Sequence, residues 1–436
     1  MPIVNIKQYY IKKFRKEFLL HKLFKLKISL EVFFITLIIF GIPLNLFKNK
    51  LYDNSWTIGE WLISYSGGFV RRGLPGQIIN FISSKYLISP ILLVWSISLF
   101  AIISLAILIL YFCKGLFDKY FLLSHLIILA PISEDYLVRK DSFLVLLYGL
   151  SLLTFRGLFQ KKVPKIYCIL FINFASIIAI LSHESYGIWG LPSIFFIFFL
   201  FEIRNKKDVF KPALKSILFL MPTFLSFLLC WIFKGNKEQA MMIHQSWQSL
   251  EAILPSINAL NEINPTGAID AIGWGTSQIY TSSLISQFNL LIFWHPGMWL
   301  LTIFIVMRLF IGNKKDLNQK GKRIIICMQL IAFLPMFLFV DIGRWIFMWL
   351  SSSAMLFALL SQTFGIEKIL LFTSKFKGIK VLSKVIPAFN SSRNYKLILL
   401  LIGLPHCCWS VGRYIVSNPI GFSIKNIIFY FQLLSV

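Results

Sequence analysis

Acidic residues are scarce in this sequence: 18 Asp and Glu stand against 44 Lys and Arg in 436 residues, a net charge of +26. Polar surface is scarce as well, since 14% of the chain is charged while 57% is hydrophobic and 16% aromatic. A soluble domain needs more polar surface than that, so the composition indicates a surface that faces lipid. Linkers rich in Gly, Ser or Pro are lacking, and no soluble domain is expected. The six cysteines, Cys113, Cys168, Cys230, Cys327, Cys407 and Cys408, form no CxxC and no Cys/His cluster. Buried thiols are expected rather than a metal site or a disulfide framework. There is no P-loop, no GxSxG and no acidic DxD-like motif in a Lys-rich loop, which argues against an ATPase, a serine hydrolase and a metal-dependent user of nucleotide sugars. No cofactor is expected. Internal repeats, common in secondary transporters, are also missing.

What is present is a recurrence of apolar runs near the length needed to cross a hydrocarbon core of about 30 Å. Candidate spans lie at 30–47, 88–113, 119–133, 141–155, 166–182, 186–203, 213–233, 290–312, 324–340, 345–362 and 396–412. The third and fourth are short, so one of them is expected to be broken or tilted. Residues 1–29 are basic and amphipathic, with Lys12, Lys13, Arg15, Lys16, Lys22, Lys25 and Lys27 among Phe and Leu, and suit a cytoplasmic segment lying on anionic lipid. The expected fold is all-α: a polytopic transmembrane bundle of about 11 spans over 30–412, with outer loops at 48–87 and 234–289 and an outer tail at 413–436. Trp56, Trp61, Trp247 and Trp274 suggest that the outer loops hold interfacial helices.

Placing the N-terminus inside and alternating gives a test. The inner segments then carry 32 Lys and Arg and 7 acids, the outer ones 12 and 11, so the net charges are +25 and +1. That asymmetry obeys the positive-inside rule and points to the inner membrane of a bacterium, with no nucleic-acid partner needed to explain the excess of basic residues.

Four polar motifs fall on the outer side. The first runs from Asp53 through Glu60 and Tyr65-Ser66-Gly67-Gly68 to Arg71-Arg72-Gly73. Glycines allow close backbone approach, and arginine forks bind phosphate or carboxylate. The second is Glu134-Asp135-Tyr136 followed by Arg139-Lys140-Asp141, with Arg139 a second anion ligand. The third is His183-Glu184 between two apolar runs; Gly187 four residues after His183 rules out HExxH. The fourth is Asp341-Ile-Gly-Arg344-Trp345, where Asp and Arg are expected to face the protein interior. Arg71, Arg72, Arg139 and Arg344 are therefore candidate phosphate ligands, and Tyr65, Gly67, Gly68, Asp141, His183, Glu184 and Asp341 candidate supporting residues.

The segment Glu60–Gly76 resembles one found in multi-pass proteins of bacterial surface-polysaccharide gene clusters, as does Asp341–Trp345. The overall plan resembles the GT-C glycosyltransferases: about a dozen spans and an acidic first outer loop. The resemblance implies a catalytic Asp53 or Glu60, a polyprenyl-phosphate-linked sugar as donor within the bilayer and a saccharide acceptor. Repeat-unit polymerisation of O-antigen or capsule, and transport of lipid-linked saccharides, are the alternatives.

Overall fold

A computed structural model of the chain describes residues 55–132, 137–204, 208–251, 263–273, 294–312, 317–338, 341–365, 367, 386–404 and 417–434. The basic segment 1–29, the span at 30–47 and Asp53 lie outside the described residues. The described residues are helical, joined by turns and loops. Two short helices, α1 (Thr57–Leu62) and α2 (Gly73–Tyr86), precede the first long one, α3 (Pro90–Cys113). Proline stands at its first position, and its 24 residues, apolar but for Ser96, Ser98 and Ser104, make α3 about 36 Å long. Its two sides are equally apolar because they have different neighbours. Leu105, Ile109 and Phe112 pack inward, while Phe100, Ile103 and Ile107 stay exposed, as lipid contact requires.

The bundle continues with α4 (Asp141–Phe159), α5 (Lys165–Ser182), α6 (Ser185–Ile203), the pair α7 (Phe210–Phe219) and α8 (Met221–Ile232), and α9 (Lys237–Glu251). It ends with α10 (Trp294–Ile311), α11 (Leu317–Phe333), α12 (Ile342–Thr363), α13 (Ser392–Leu401) and α14 (Pro419–Leu434). Among the described residues α3, α4, α5, α6 and α12 are long and apolar enough to cross a membrane, and α7 with α8 forms a sixth crossing if the bent pair counts as one span. The helix α12 is the axis of the bundle, buried from Ile342 to Leu360.

Two expected spans differ from straight helices. The run 213–233 bends by 64° between α7 and α8. Pro222, in the first turn of α8, removes a backbone donor, and Asn173 of α5 fills the break. Asn173 Nδ2 donates to Phe219 O at 2.7 Å while its Oδ1 accepts from Thr223 at 2.7 Å.

Of the run 119–133, the described residues 119–132 are not one helix but a chain of turns, with one helical turn at Lys119–Leu122 and a 3₁₀ turn at Ala130–Ile132. It nevertheless returns along α3. Phe117 meets Phe310 and Phe357 edge to face at one end of the bundle, and Leu129, Ile132 and Leu137 pack with Trp95 and Leu99 at the other. Ser124, His125 and Pro131 interrupt the helical ladder. The irregular backbone survives because Phe121, Leu122, Leu126, Ile127 and Ala130 are fully enclosed by protein. The expected tail at 413–436 contains α14, which packs on α13, and His125 reaches Ser417 O at 3.2 Å.

One arrangement positions the candidate site. The helices α2, α4, α6 and α12 all start at the same end of the bundle, with Arg72, Lys140, Glu184 and Asp341 as their N-cap residues. At that end α9, from the long loop, lies against the first loop, where Gln239 Nε2 donates to Gly67 O at 3.1 Å and Trp247 Nε1 to Leu62 O at 2.7 Å.

Candidate functional site

The four N-caps and their neighbours build one ionic cluster. Arg344, one turn into α12, grips Asp141 at the start of α4 through Nε and Nη2, both at 2.7 Å. Its Nη1 donates to Asp341 at 2.8 Å, and Arg139 meets the same Asp341 oxygen at 3.2 Å. Arg72 holds Glu184 in a second fork, at 2.8 and 2.6 Å, with Arg71 at 3.5 Å. Glu60 of α1 joins the two halves, 3.3 Å from His183 Nε2 and 3.8 Å from Arg344 Nη2.

The backbone contributes as well. Four helix N-termini each bring a positive dipole end to this spot. Such a field attracts anions, which explains three carboxylates on N-cap or first-turn positions. Arg72 is itself strained, with φ +66 in the left-handed region, and its carbonyl is held by Lys140 Nζ at 3.4 Å. Gly73 follows because a Cβ there would lie 2.3 Å from the Tyr65 ring.

The His183 tautomer follows from its partners. Ser185 N–H donates to Nδ1 at 3.2 Å, so the proton sits on Nε2, which lies 3.3 Å from Glu60 Oε1. Burial, aided by the charge of Arg72, pushes the imidazole down to about 3, so it is neutral and its contact with Glu60 is not an ion pair. Burial alone would raise the Glu60 carboxyl, but the charge of Arg344 above all, with Arg139 and Lys140, outweighs it and holds the acid below its ordinary value. Glu184 is held well below its ordinary value against the same burial by Arg72 and Arg71. Both are carboxylates at neutral pH. Glu60 Oε2 is buried and accepts no hydrogen bond from the described residues.

The structure thus brings together Glu60, Arg71, Arg72, Arg139, Asp141, His183, Glu184, Asp341 and Arg344. It leaves Tyr65, Gly67 and Gly68 in a turn behind them, where Gly68 takes φ +98 and donates to Tyr65 O at 2.9 Å. The arginines are not open forks, since each has a carboxylate within 4 Å. Access is graded: the side chain of Arg72 is 22% exposed and that of Asp341 22%, against 3% for Glu60 and 4% for Arg344. Among the described residues no three His, Cys, Asp or Glu side chains are grouped as metal ligands would be.

Lys140 is the residue that sequence reasoning missed. It is fully buried, with Nζ donating to Ser182 O at 3.1 Å and lying 5.7 Å from the Trp61 ring. Burial, with Arg72 and Arg344 close by, brings its ammonium down to about 7. The available signal was its place directly before an apolar run, where a lysine has no room to reach solvent.

Residues 31–247 match the model of a family described as "Uncharacterised membrane protein Rv1490". That stretch includes Glu60, both loop arginines, Lys140, His183 and Glu184, and stops short of Asp341 and Arg344. No curated protein and no solved structure matches the chain. The chain is a multi-pass helical membrane protein, similar over 31–247 to this membrane protein family.

Proposed function

We propose that the chain is a glycosyltransferase that takes a sugar from a polyprenyl-phosphate-linked donor at the outer face of the inner membrane, in surface polysaccharide or glycoconjugate assembly. The observation that carries this reading is Glu60: an ionised, buried carboxylate with one oxygen held by His183 and Arg344 and the other without a donor. In the proposed step the acceptor hydroxyl attacks the sugar's anomeric carbon, and its proton passes to Glu60 Oε2. The bond from that carbon to the phosphate oxygen breaks, and polyprenyl phosphate leaves with the electron pair. A carboxylate in place for that proton is the general base the reaction needs. A cationic, helix-N-terminal setting stabilises the charge that develops on the departing phosphate.

Sidedness supports the same reading. The cluster lies at the end of the bundle assigned to the outer face by the +25 against +1 charge asymmetry. Repeat-unit polymerisation is the same chemistry with a longer donor, and the packing of α9 from the long loop on Gly67 is the observation in its favour. The test is a deletion strain complemented with wild type or Glu60→Gln, with lipid-linked saccharides analysed by mass spectrometry. Accumulation of an unextended lipid-linked sugar in the Glu60→Gln strain is expected. Wild-type polysaccharide from that strain overturns the reading.

A further inference from the structure

The cluster leaves two groups unmatched. Its described residues comprise five cations (Arg71, Arg72, Arg139, Lys140 and Arg344) and four carboxylates (Glu60, Asp141, Glu184 and Asp341). Every arginine lies within 4 Å of a carboxylate, whereas Lys140 ion-pairs with none among the described residues. Its three N–H donors have two carbonyls, Ser182 O and Arg72 O, and the face of Trp61. Glu60 Oε2 is the complementary orphan, a buried carboxylate oxygen that accepts nothing. The two do not pair with each other, although Glu60 is the strongest opposing charge acting on Lys140.

Burying a charge without its counter-charge is expensive, and so is burying a carboxylate oxygen without a donor. A buried polar group left so calls for a partner from outside the chain, and a ligand can supply it. A ligand that answers both must carry an anionic oxygen and a hydroxyl close together. A glycosyl phosphate has that pattern, with the phosphate on the anomeric carbon and hydroxyls on the ring. The four helix N-termini around the same spot favour the phosphate independently of side-chain charge.

We infer that Lys140 and Glu60 form one recognition element for a glycosyl phosphate, Lys140 Nζ bonding an anionic phosphate oxygen and Glu60 Oε2 accepting from a ring hydroxyl through one lone pair, which leaves its second lone pair for the acceptor hydroxyl's proton. This rests on the glycosyltransferase reading and deepens it: the arginines are already held by carboxylates, and Lys140 takes the phosphate. The groups that face Lys140 are Glu60, Arg72, Glu184 and Arg344. Glu60 and Glu184 remain ionised above neutral pH and the arginines remain charged, so Lys140 is the group of the set that changes charge between pH 7 and 9.

The test uses the full chain in nanodiscs, titrated with farnesyl phosphate, glucose 1-phosphate and farnesol. Binding of either phosphate is expected, with farnesol weaker than farnesyl phosphate. Tighter binding of farnesyl phosphate assigns a lipid-borne source, and tighter binding of glucose 1-phosphate a free sugar phosphate. Lys140→Met is expected to weaken phosphate binding at least tenfold, and Lys140→Arg to stay within a few fold of wild type. Wild-type affinity should fall from pH 7 to pH 9, while Lys140→Arg, charged throughout, stays flat; that comparison stands even if Lys140→Met fails to insert. Unchanged affinity in Lys140→Met, a pH-independent wild type, or no phosphate binding at all overturns the inference. Phosphate binding that ignores Lys140 sinks this assignment and spares the lipid-phosphate donor. Lys140-dependent binding without any sugar transfer does the reverse.

Discussion

Arg344 and Asp141 are joined by two parallel N–H···O contacts of 2.7 Å across 203 residues of sequence. The pair ties the central helix α12 to α4 at the end where the candidate site lies. Both side chains are almost wholly buried, at 4% exposure each. Arg344→Met strands Asp141 and is expected to cost about 3–5 kcal/mol, the usual penalty for orphaning one partner of a buried pair. Arg344→Met combined with Asp141→Leu should recover much of that loss. Thermal unfolding of the purified proteins checks it; additive losses in the double variant refute the coupling.

Glu60→Gln keeps the volume of the side chain and removes the base. A drop of about 10²- to 10⁴-fold in sugar transfer is expected, the range general-base catalysis contributes. Membrane protein levels should stay near wild type, because Gln fills the same volume and keeps a carbonyl oxygen beside His183 and Arg344. A rate within a few fold of wild type excludes Glu60 as base.

Acid should weaken the fold in a defined window. His183 is held at about 3 in the folded chain and returns to about 6.5 when unfolded. The unfolded state therefore binds more protons between these values, and stability falls as pH drops from 6.5 to 3. Glu60 and Glu184, both lowered, lose their contribution in the same direction as they protonate. Lys140, at about 7 folded and about 10.5 unfolded, makes stability rise with pH between those two values. Melting temperatures of wild type and His183→Gln from pH 4 to 7 should converge at the acid end. Parallel curves for the two proteins rule out a buried neutral His183.

Gly76 marks the closest backbone approach between α2 and the segment after α1. A Cβ at this position would lie 2.0 Å from Ile63 O, a backbone atom with nowhere to retreat. Gly76→Ala is expected to destabilise by about 1–3 kcal/mol, as overpacking does elsewhere, or to abolish insertion. A wild-type melting temperature in this variant contradicts the packing of the first loop.

Sidedness has a direct readout. In a background with the native cysteines replaced by serine, Ser66→Cys should react with an impermeant maleimide from the outside. Lys162→Cys, exposed at the far end between α4 and α5, should react only after the inner face is opened. The reverse pattern inverts the topology and moves the site to the cytoplasm.

The long apolar runs were legible because hydropathy is local: 88–113 coincides with α3 within two residues, and 141–155 lies inside α4. That four polar motifs share one end was legible too, since charge alternates with each crossing. The partners were not. Nothing near Arg344 in sequence points to Asp141 as its main anchor, and the i+3 contact to Asp341 was the only one the spacing suggested. Lys140 was read as part of a charged turn, and only the packing of Trp61 and Ser182 around it turns it into a buried cation. The run 119–133 misled for the opposite reason. Its apolar residues are there to meet α3 and Phe310, not lipid, so hydropathy alone could not distinguish a spanning helix from an enclosed string of turns.

That string of turns has a consequence for how the chain is made. A spanning helix satisfies its own backbone and can be released into the bilayer alone, whereas a non-helical crossing cannot. The stretch from Lys114 to Ile132 finds its enclosure in α3, synthesised before it, and in residues as late as Phe310 and Phe357, synthesised long after. Biogenesis must therefore keep this stretch sheltered, by the insertion machinery or a chaperone, until more than 170 further residues have emerged. Variants that delay α10 or α12 should leave the ribosome-bound intermediate, rather than the finished protein, as the species cleared by quality control.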